Sequence, residues 1–153
     1  MKIVDILKPQ SVIDELKAAT KEDVLKELSQ ALSQAIEDVD EEEVKKVLVE
    51  REKLGSTGIG DGVAIPHGKM KNIKKVMALF GRSSRGIDFD SIDGKPAHMF
   101  FLLIAPEDSA GIHLKALARI SKLSRDPVFR ANLLNAKNKE EVYKIIKEMD
   151  ERV

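Results

Sequence analysis

The stretch that leaves this chain least freedom is Met99-Phe100-Phe101-Leu102-Leu103-Ile104-Ala105, an unbroken apolar run that ends at Pro106. It is far shorter than the ~20 apolar residues of a membrane helix. Bounded by a proline, the run predicts a strand that is apolar on both faces. Such a strand belongs at the centre of a sheet with helices packed on both sides. The remainder of the chain must therefore supply two helical layers.

The flanking segments have the right character. Thr20 with Asp23 marks a helix start, and Val24, Leu25, Leu28, Leu32 and Ile36 then fall on one helical face. Asp40 with Glu43 begins a second helix, whose apolar positions Val44, Val47 and Leu48 continue to about Arg51, and the acidic cluster Asp40 to Glu43 suits its positive end. Beyond the central strand, Asp108 or Ser109 opens a long helix through about Leu123. A short helix follows Pro127, and Asn138 with Glu141 caps a last one from Lys139. Upstream lie a short first element, a turn at Pro9-Gln10-Ser11 and an edge strand at Val12-Ile13. Lys74 to Gly81 reads as a further strand, and Gly94-Lys95 as the turn before the central one. Helices, strands and helices again imply an α/β fold with a mixed sheet between helical layers.

At 153 residues this is one domain, large enough for a proper core. The 26 basic and 26 acidic residues cancel, so no global field points to nucleic acid. With no cysteine, disulfide frameworks and thiolate chemistry are excluded. The N-terminal Met1-Lys2-Ile3-Val4-Asp5-Ile6-Leu7-Lys8 carries charges inside its apolar run and does not read as a signal peptide; the expected location is the cytoplasm.

Chemistry concentrates between Arg51 and Lys69, which hold five of the nine glycines and one of the three histidines. The imidazole of His67, with an unperturbed pKa of ~6.5, is mostly neutral at pH 7 and offers a nitrogen lone pair. Ile65-Pro66-His67-Gly68 fixes the ring's approach: proline sets its own φ and pushes Ile65 toward extended geometry, and glycine permits a sharp turn afterwards. Gly55, Gly58, Gly60 and Gly62 would let main-chain N–H groups approach an anion, with Ser56 and Thr57 as hydroxyl donors and Arg51 as a planar cation.

Common motifs fail here. In a Walker A reading of Gly68-Lys69, Val63 stands where the first glycine belongs and Met70 where Ser or Thr belongs. The dinucleotide fingerprint beginning Gly58-Ile59-Gly60 lacks its third glycine, and Leu54 occupies the first position of a nucleophile elbow around Ser56. The run Val49-Glu50-Arg51-Glu52-Lys53-Leu54-Gly55-Ser56-Thr57-Gly58-Ile59-Gly60, continuing to Ala64-Ile65-Pro66-His67-Gly68-Lys69, resembles instead the IIA component of the fructose/mannitol class of the bacterial phosphoenolpyruvate-dependent sugar phosphotransferase system. Within that class it looks most like the nitrogen-regulatory IIA proteins. The resemblance extends through Gly111-Ile112-His113-Leu114 to the closing helix.

That resemblance implies a single domain over residues 1–153, a three-layer α/β sandwich whose mixed sheet has about five strands. It implies that His67 accepts a phosphoryl group at its ε nitrogen, that His113 stabilises the phosphohistidine and that Arg51 stabilises phosphoryl charge. Gly55, Ser56 and Thr57 are candidate phosphoryl contacts. The implied donor is the phosphocarrier protein HPr or its nitrogen-regulatory paralogue; the implied acceptor is a IIB domain or a regulatory target, with peripheral association with a membrane permease. No metal or organic cofactor is expected.

Blander readings stand beside these. His113 alone would be a packed or surface histidine, and only the resemblance turns it into a site residue; His98, entering the apolar strand, reads as structural. Arg51 could equally be an ion-pair partner of Glu50 or Glu52, Ser56, Thr57 and Asp61 turn residues. Lys69, Lys71, Lys74, Lys75, Arg82 and Arg85 read mostly as a solvated face, with Lys69 and Lys71 beside His67 able to attract an acidic partner or a phosphoryl group. A zinc site built from His67, His113 and Asp61 is the competing chemistry, and a purely regulatory binding module the competing role. The chain ends at Val153 without room for a fused IIB domain, which favours the regulatory subgroup, although free-standing transport IIA proteins exist.

Overall fold

The computed structural model describes residues 1–153 and places the apolar run where its composition requires. It forms β6, Ala97–Pro106, buried at every position except His98. On one side β6 pairs antiparallel with β5, Met77–Ile87; on the other it pairs in parallel with two short strands set end to end, β3 (Val63–Ala64) and β4 (His67–Met70). The edges are β1, Val12–Ile13, parallel to β5, and β2, Gly58–Gly60, antiparallel to β3. The mixed sheet thus has six strands where about five were expected.

Alternation along β6 builds two cores. Met99, Phe101, Leu103 and Ala105 face one layer, formed by α3 (Ala110–Ser124), α4 (Pro127–Asn135) and α5 (Lys139–Arg152). Phe100, Leu102 and Ile104 face the other, formed by α1 (Lys21–Ala35) and α2 (Glu41–Glu52). Each fully buried Leu, Ile or Phe here stabilises the fold by roughly 1.5–3 kcal/mol relative to exposure, which is why a strand without one polar face becomes the middle of the sandwich. The expected caps form: Thr20 accepts from the amide of Asp23 at 3.1 Å, Asp40 from Glu42 at 3.1 Å, and Asn138 from Glu141 at 2.9 Å.

The fold corrects three readings. β5 starts at Met77 rather than Lys74 and runs past Gly81 to Ile87, through a polar segment. That extension is held by tertiary partners: Arg82, only 6% exposed, donates through Nε to the Asp14 carbonyl (2.8 Å) and through Nη1 to the carbonyls of Leu133 and Ala136 (both 2.7 Å). Arg82 is therefore no part of a solvated face, whereas Lys69, Lys71, Lys74, Lys75 and Arg85 are exposed. His98 proves structural, its Nδ1–H donating to the Ser83 carbonyl at 2.9 Å.

The glycine stretch is the third. It is a hairpin, β2 and β3, turning at Asp61 and Gly62, whose φ values of 57° and 79° suit the twist of a two-residue hairpin turn. Gly68 serves close packing: a Cβ there would lie 2.2 Å from Val47 Cγ1 of α2. Gly68→Ala should accordingly cost about 1–3 kcal/mol, read from the urea midpoint, and Val47→Ala in the same chain should recover part of it. An unchanged midpoint for Gly68→Ala alone would contradict this account of the α2–β4 contact.

Candidate active site

His67 opens β4 rather than sitting in a loop. Its backbone lies opposite Leu103 of β6, and alternation sends Gly68 and Met70 toward α2 while His67 and Lys69 face the α3 layer. The preceding Pro66 carbonyl accepts from the Leu103 amide at 3.0 Å, so the approach to the histidine is anchored to the central strand. The His67 ring is half-buried, with Nδ1 2.8 Å from the Ile65 carbonyl oxygen. A carbonyl only accepts, so Nδ1 carries the proton and Nε2 carries the lone pair.

His113 meets that ring from α3. It is the fourth residue of the helix, its amide donating to the Ser109 carbonyl at 3.1 Å, and its side chain is 6% exposed. The two imidazoles pack edge to face with centroids 5.3 Å apart and planes at 74°. Nε2 of His113 is the one buried side-chain nitrogen or oxygen in the protein without a hydrogen-bond partner. Leaving such an atom unpaired costs about 1–3 kcal/mol, and no other buried side chain here stands to gain as much from a partner.

Burial disfavours the charged form of both rings. It lowers the pKa of His67, with the nearby Arg51 charge acting in the same direction and the Ile65 hydrogen bond and Glu52 acting against it. His113 is pushed down to about 4, by burial first and then by His67 and Lys69. Both rings are therefore neutral at pH 7, which a nucleophile requires. The sign for stability follows from the depressed folded value: the unfolded chain binds the proton first, so the contribution of neutral His113 is complete above about 6.5 and is lost as pH falls toward about 4. Between about pH 7.5 and about pH 5 the expected loss is about 2 kcal/mol, absent in His113→Gln, and urea unfolding of both proteins at the two pH values measures it. Equal pH slopes for the two would refute it.

Arg51 lies in the last turn of α2 and forms no ion pair. Glu50 pairs with Lys53 at 3.8 Å and Glu52 with Lys21 at 3.0 Å, so the surface-pair reading of Arg51 fails. Its Nη1 donates to the Gly55 carbonyl at 2.9 Å, which leaves the other N–H groups of the fork without a protein partner. The hydroxyls expected as phosphoryl contacts are committed elsewhere. Ser56 Oγ donates to the Phe89 carbonyl (2.7 Å) and accepts from the Gly58 amide (3.0 Å), and Thr57 Oγ1 donates to the Glu52 carboxylate. Gly55 is likewise tied in, its amide donating to the Glu52 carbonyl at 3.1 Å. These three residues shape the segment between α2 and the hairpin.

Sequence reasoning missed Glu52. Its side chain is 6% exposed and takes Lys21 Nζ, the Thr57 amide (3.1 Å) and the Thr57 hydroxyl. A signal was available: a carboxylate in the last turn of a helix opposes the helix dipole and needs a reason to be there. The zinc reading does not survive, because no three His, Asp or Glu side chains come together closely enough to hold a metal ion, and Asp61 sits at the hairpin tip with its amide on Asp93 Oδ2. Five surface grooves of about 320–620 Å³ include neither His67 nor His113 among their lining residues. No helix is long and apolar enough to cross a membrane.

Comparison with known proteins gives this geometry its context. Residues 5–149 match the family model described as "Phosphoenolpyruvate-dependent sugar phosphotransferase system, EIIA 2". The chain is 42% identical over 146 residues to a nitrogen regulatory protein of Bradyrhizobium diazoefficiens, covering 95% of each. It is 36% identical over 150 residues to the fructose-specific EIIABC component of Bacillus subtilis, of which it spans 24% while 98% of its own length is matched. Among solved structures, the crystal structure of the nitrogen regulatory protein IIA-Ntr from Neisseria meningitidis superposes with a TM-score of 0.88 at 33% identity, covering 94% of this chain and 98% of that one. The comparisons support a phosphocarrier IIA role, and the chain belongs to the EIIA 2 family of the phosphoenolpyruvate-dependent sugar phosphotransferase system.

Proposed function

We propose that the whole chain acts as one IIA domain in the cytoplasm, with Nε2 of His67 as the phosphoryl acceptor. The observation that carries this is the Nδ1–H bond of His67 to the Ile65 carbonyl, which frees Nε2 in a ring packed against that of His113, whose own Nε2 is unpartnered. The donor is a phosphohistidine of HPr or its nitrogen-regulatory paralogue. A P–N bond forms to His67 Nε2 as the P–N bond to the donor ring breaks, and the donor ring keeps that electron pair. His67 becomes transiently cationic, which the Ile65 carbonyl and the nearby Glu52 charge favour. Catalysis is positioning and charge stabilisation: Arg51 directs its open donors at phosphoryl oxygens, and His113 supplies a ring nitrogen to the same group. Neither step calls for a metal or organic cofactor.

The reacting group arrives on a protein. Leu54, Ile112 and Leu114 are exposed at 83%, 47% and 66%, the last two on either side of His113 in the chain. Exposed apolar side chains beside buried chemistry suit a macromolecular partner. In the regulatory reading phosphorylation alters affinity for a target protein. In the transport reading, favoured by the fructose-specific relative, the group passes to a IIB domain at a membrane permease.

Intact-mass spectrometry after incubation with phosphoenolpyruvate, the upstream enzyme and the carrier protein tests the proposal. One acid-labile phosphoryl group mapped to His67 is the expected result, and no gain with several carriers would overturn it. Onward transfer to a fructose- or mannitol-type IIB would select transport, and its absence regulation.

A further inference from the structure

A chain of contacts ties the buried end of α2 to the ring of His67. Lys21 Nζ, at the start of α1, lies 3.0 Å from Glu52 Oε1 and also sits over the Phe89 ring, 4.7 Å from its centroid. The same carboxylate accepts the Thr57 amide at 3.1 Å and the Thr57 hydroxyl. The Thr57 carbonyl accepts the Ile65 amide at 2.9 Å, and the Ile65 carbonyl accepts Nδ1–H of His67 at 2.8 Å. Every link is a hydrogen bond or ion pair between groups that are buried or half-buried.

We infer that Glu52 is a positioning residue: acting through Thr57 and Ile65, it fixes which nitrogen of His67 carries the proton and where Nε2 points. Stability alone does not account for it. A carboxylate at the C-terminal end of a helix works against the helix dipole, and a buried ion pair is often no more stable than an apolar replacement. What the carboxylate does accomplish is geometric. Thr57 donates to it twice, so that residue has one orientation, and its carbonyl can meet only the Ile65 amide. Ile65 is then held with its own carbonyl toward the imidazole. Without that register the ring is free to donate from Nε2 instead, and the nucleophilic lone pair moves to the wrong nitrogen. Ser56 reinforces the arrangement from the other side by donating to the carbonyl of Phe89, the residue under Lys21.

The inference rests on His67 being the phosphoryl acceptor, and the test separates the two. Ring 15N shifts of His67 in unphosphorylated protein near pH 7.5 report the tautomer directly, whatever the protein's activity. The wild type should show a protonated Nδ1 and a bare Nε2. Glu52→Gln, which keeps one oxygen for Lys21 and the Thr57 amide but puts an N–H donor where the Thr57 hydroxyl now finds an acceptor, should move both shifts toward a mixture of tautomers. Thr57→Val should do the same with little change in volume, and Thr57→Ser, which keeps the hydroxyl, should restore the wild-type pattern. Single-turnover phosphoryl acceptance at saturating carrier protein should fall roughly tenfold to hundredfold in the first two variants with the KM for the carrier unchanged, since a displaced reacting group costs rate rather than docking.

Wild-type ring shifts in a folded Glu52→Gln or a folded Thr57→Val protein would overturn the assignment. If Glu52→Gln does not fold, the Thr57 pair decides alone. A wild-type protein that accepts no phosphoryl group would instead sink the proposed function, while the ring shifts would still judge the positioning chain.

Discussion

His67→Ala is expected to abolish phosphoryl acceptance while the protein remains folded. The half-buried ring makes one hydrogen bond, to the buried Ile65, so the stability cost should be about 1–3 kcal/mol, the penalty of leaving that carbonyl unpaired. The chemical cost is total, because the remaining imidazole, that of His113, is only 6% exposed and is placed to support the phosphoryl group rather than to meet the donor. His113→Ala should behave differently: acceptance slows by roughly a hundredfold to a thousandfold, the loss typical of removing one charge-stabilising group, yet the product still carries a phosphoryl group on His67. Intact-mass time courses of the two variants distinguish these outcomes. Labelling blocked in His113→Ala and retained in His67→Ala would exchange the two roles.

Arg51→Ala should lower the rate of acceptance by roughly a hundredfold to a thousandfold with little effect on carrier KM. The residue holds its guanidinium in place through Nη1 to the Gly55 carbonyl, and its remaining donors are uncommitted. A guanidinium held in place with donors to spare is suited to the oxygens of a phosphoryl group. Arg51→Lys should recover little, because an ammonium cannot bond the Gly55 carbonyl and also present a planar fork to phosphoryl oxygens. Full activity in Arg51→Lys would reduce the role of Arg51 to simple charge.

Much of this was legible in local sequence. The apolar run at Met99–Ala105 announced the central strand, because a segment without a polar face has only one place in a layered α/β fold. Thr20, Asp40 and Asn138 announced three helix starts, because a capping side chain answers to amides two or three residues away. His67 stood out by the company of Pro66 and Gly68. His113 did not, since nothing within its own helix distinguishes it; only resemblance to a known family raised it. The glycines misled in part: their freedom serves a hairpin turn and a contact with Val47, not a cradle of free amides.

The sequence by itself determined the layers, the helix limits and the residue types available for chemistry, because hydrophobic period and capping act over a few residues. Tertiary structure alone decided which of those residues meet. It brought His113 of α3 against His67 of β4, because both strand and helix are fixed to β6. It buried Arg82 by offering three carbonyls from distant loops and helix ends, and it turned Glu52 from a surface acid into the anchor of Thr57. A polar group is stable in the interior only when its partners arrive from elsewhere in the chain, and no local pattern records where those partners are.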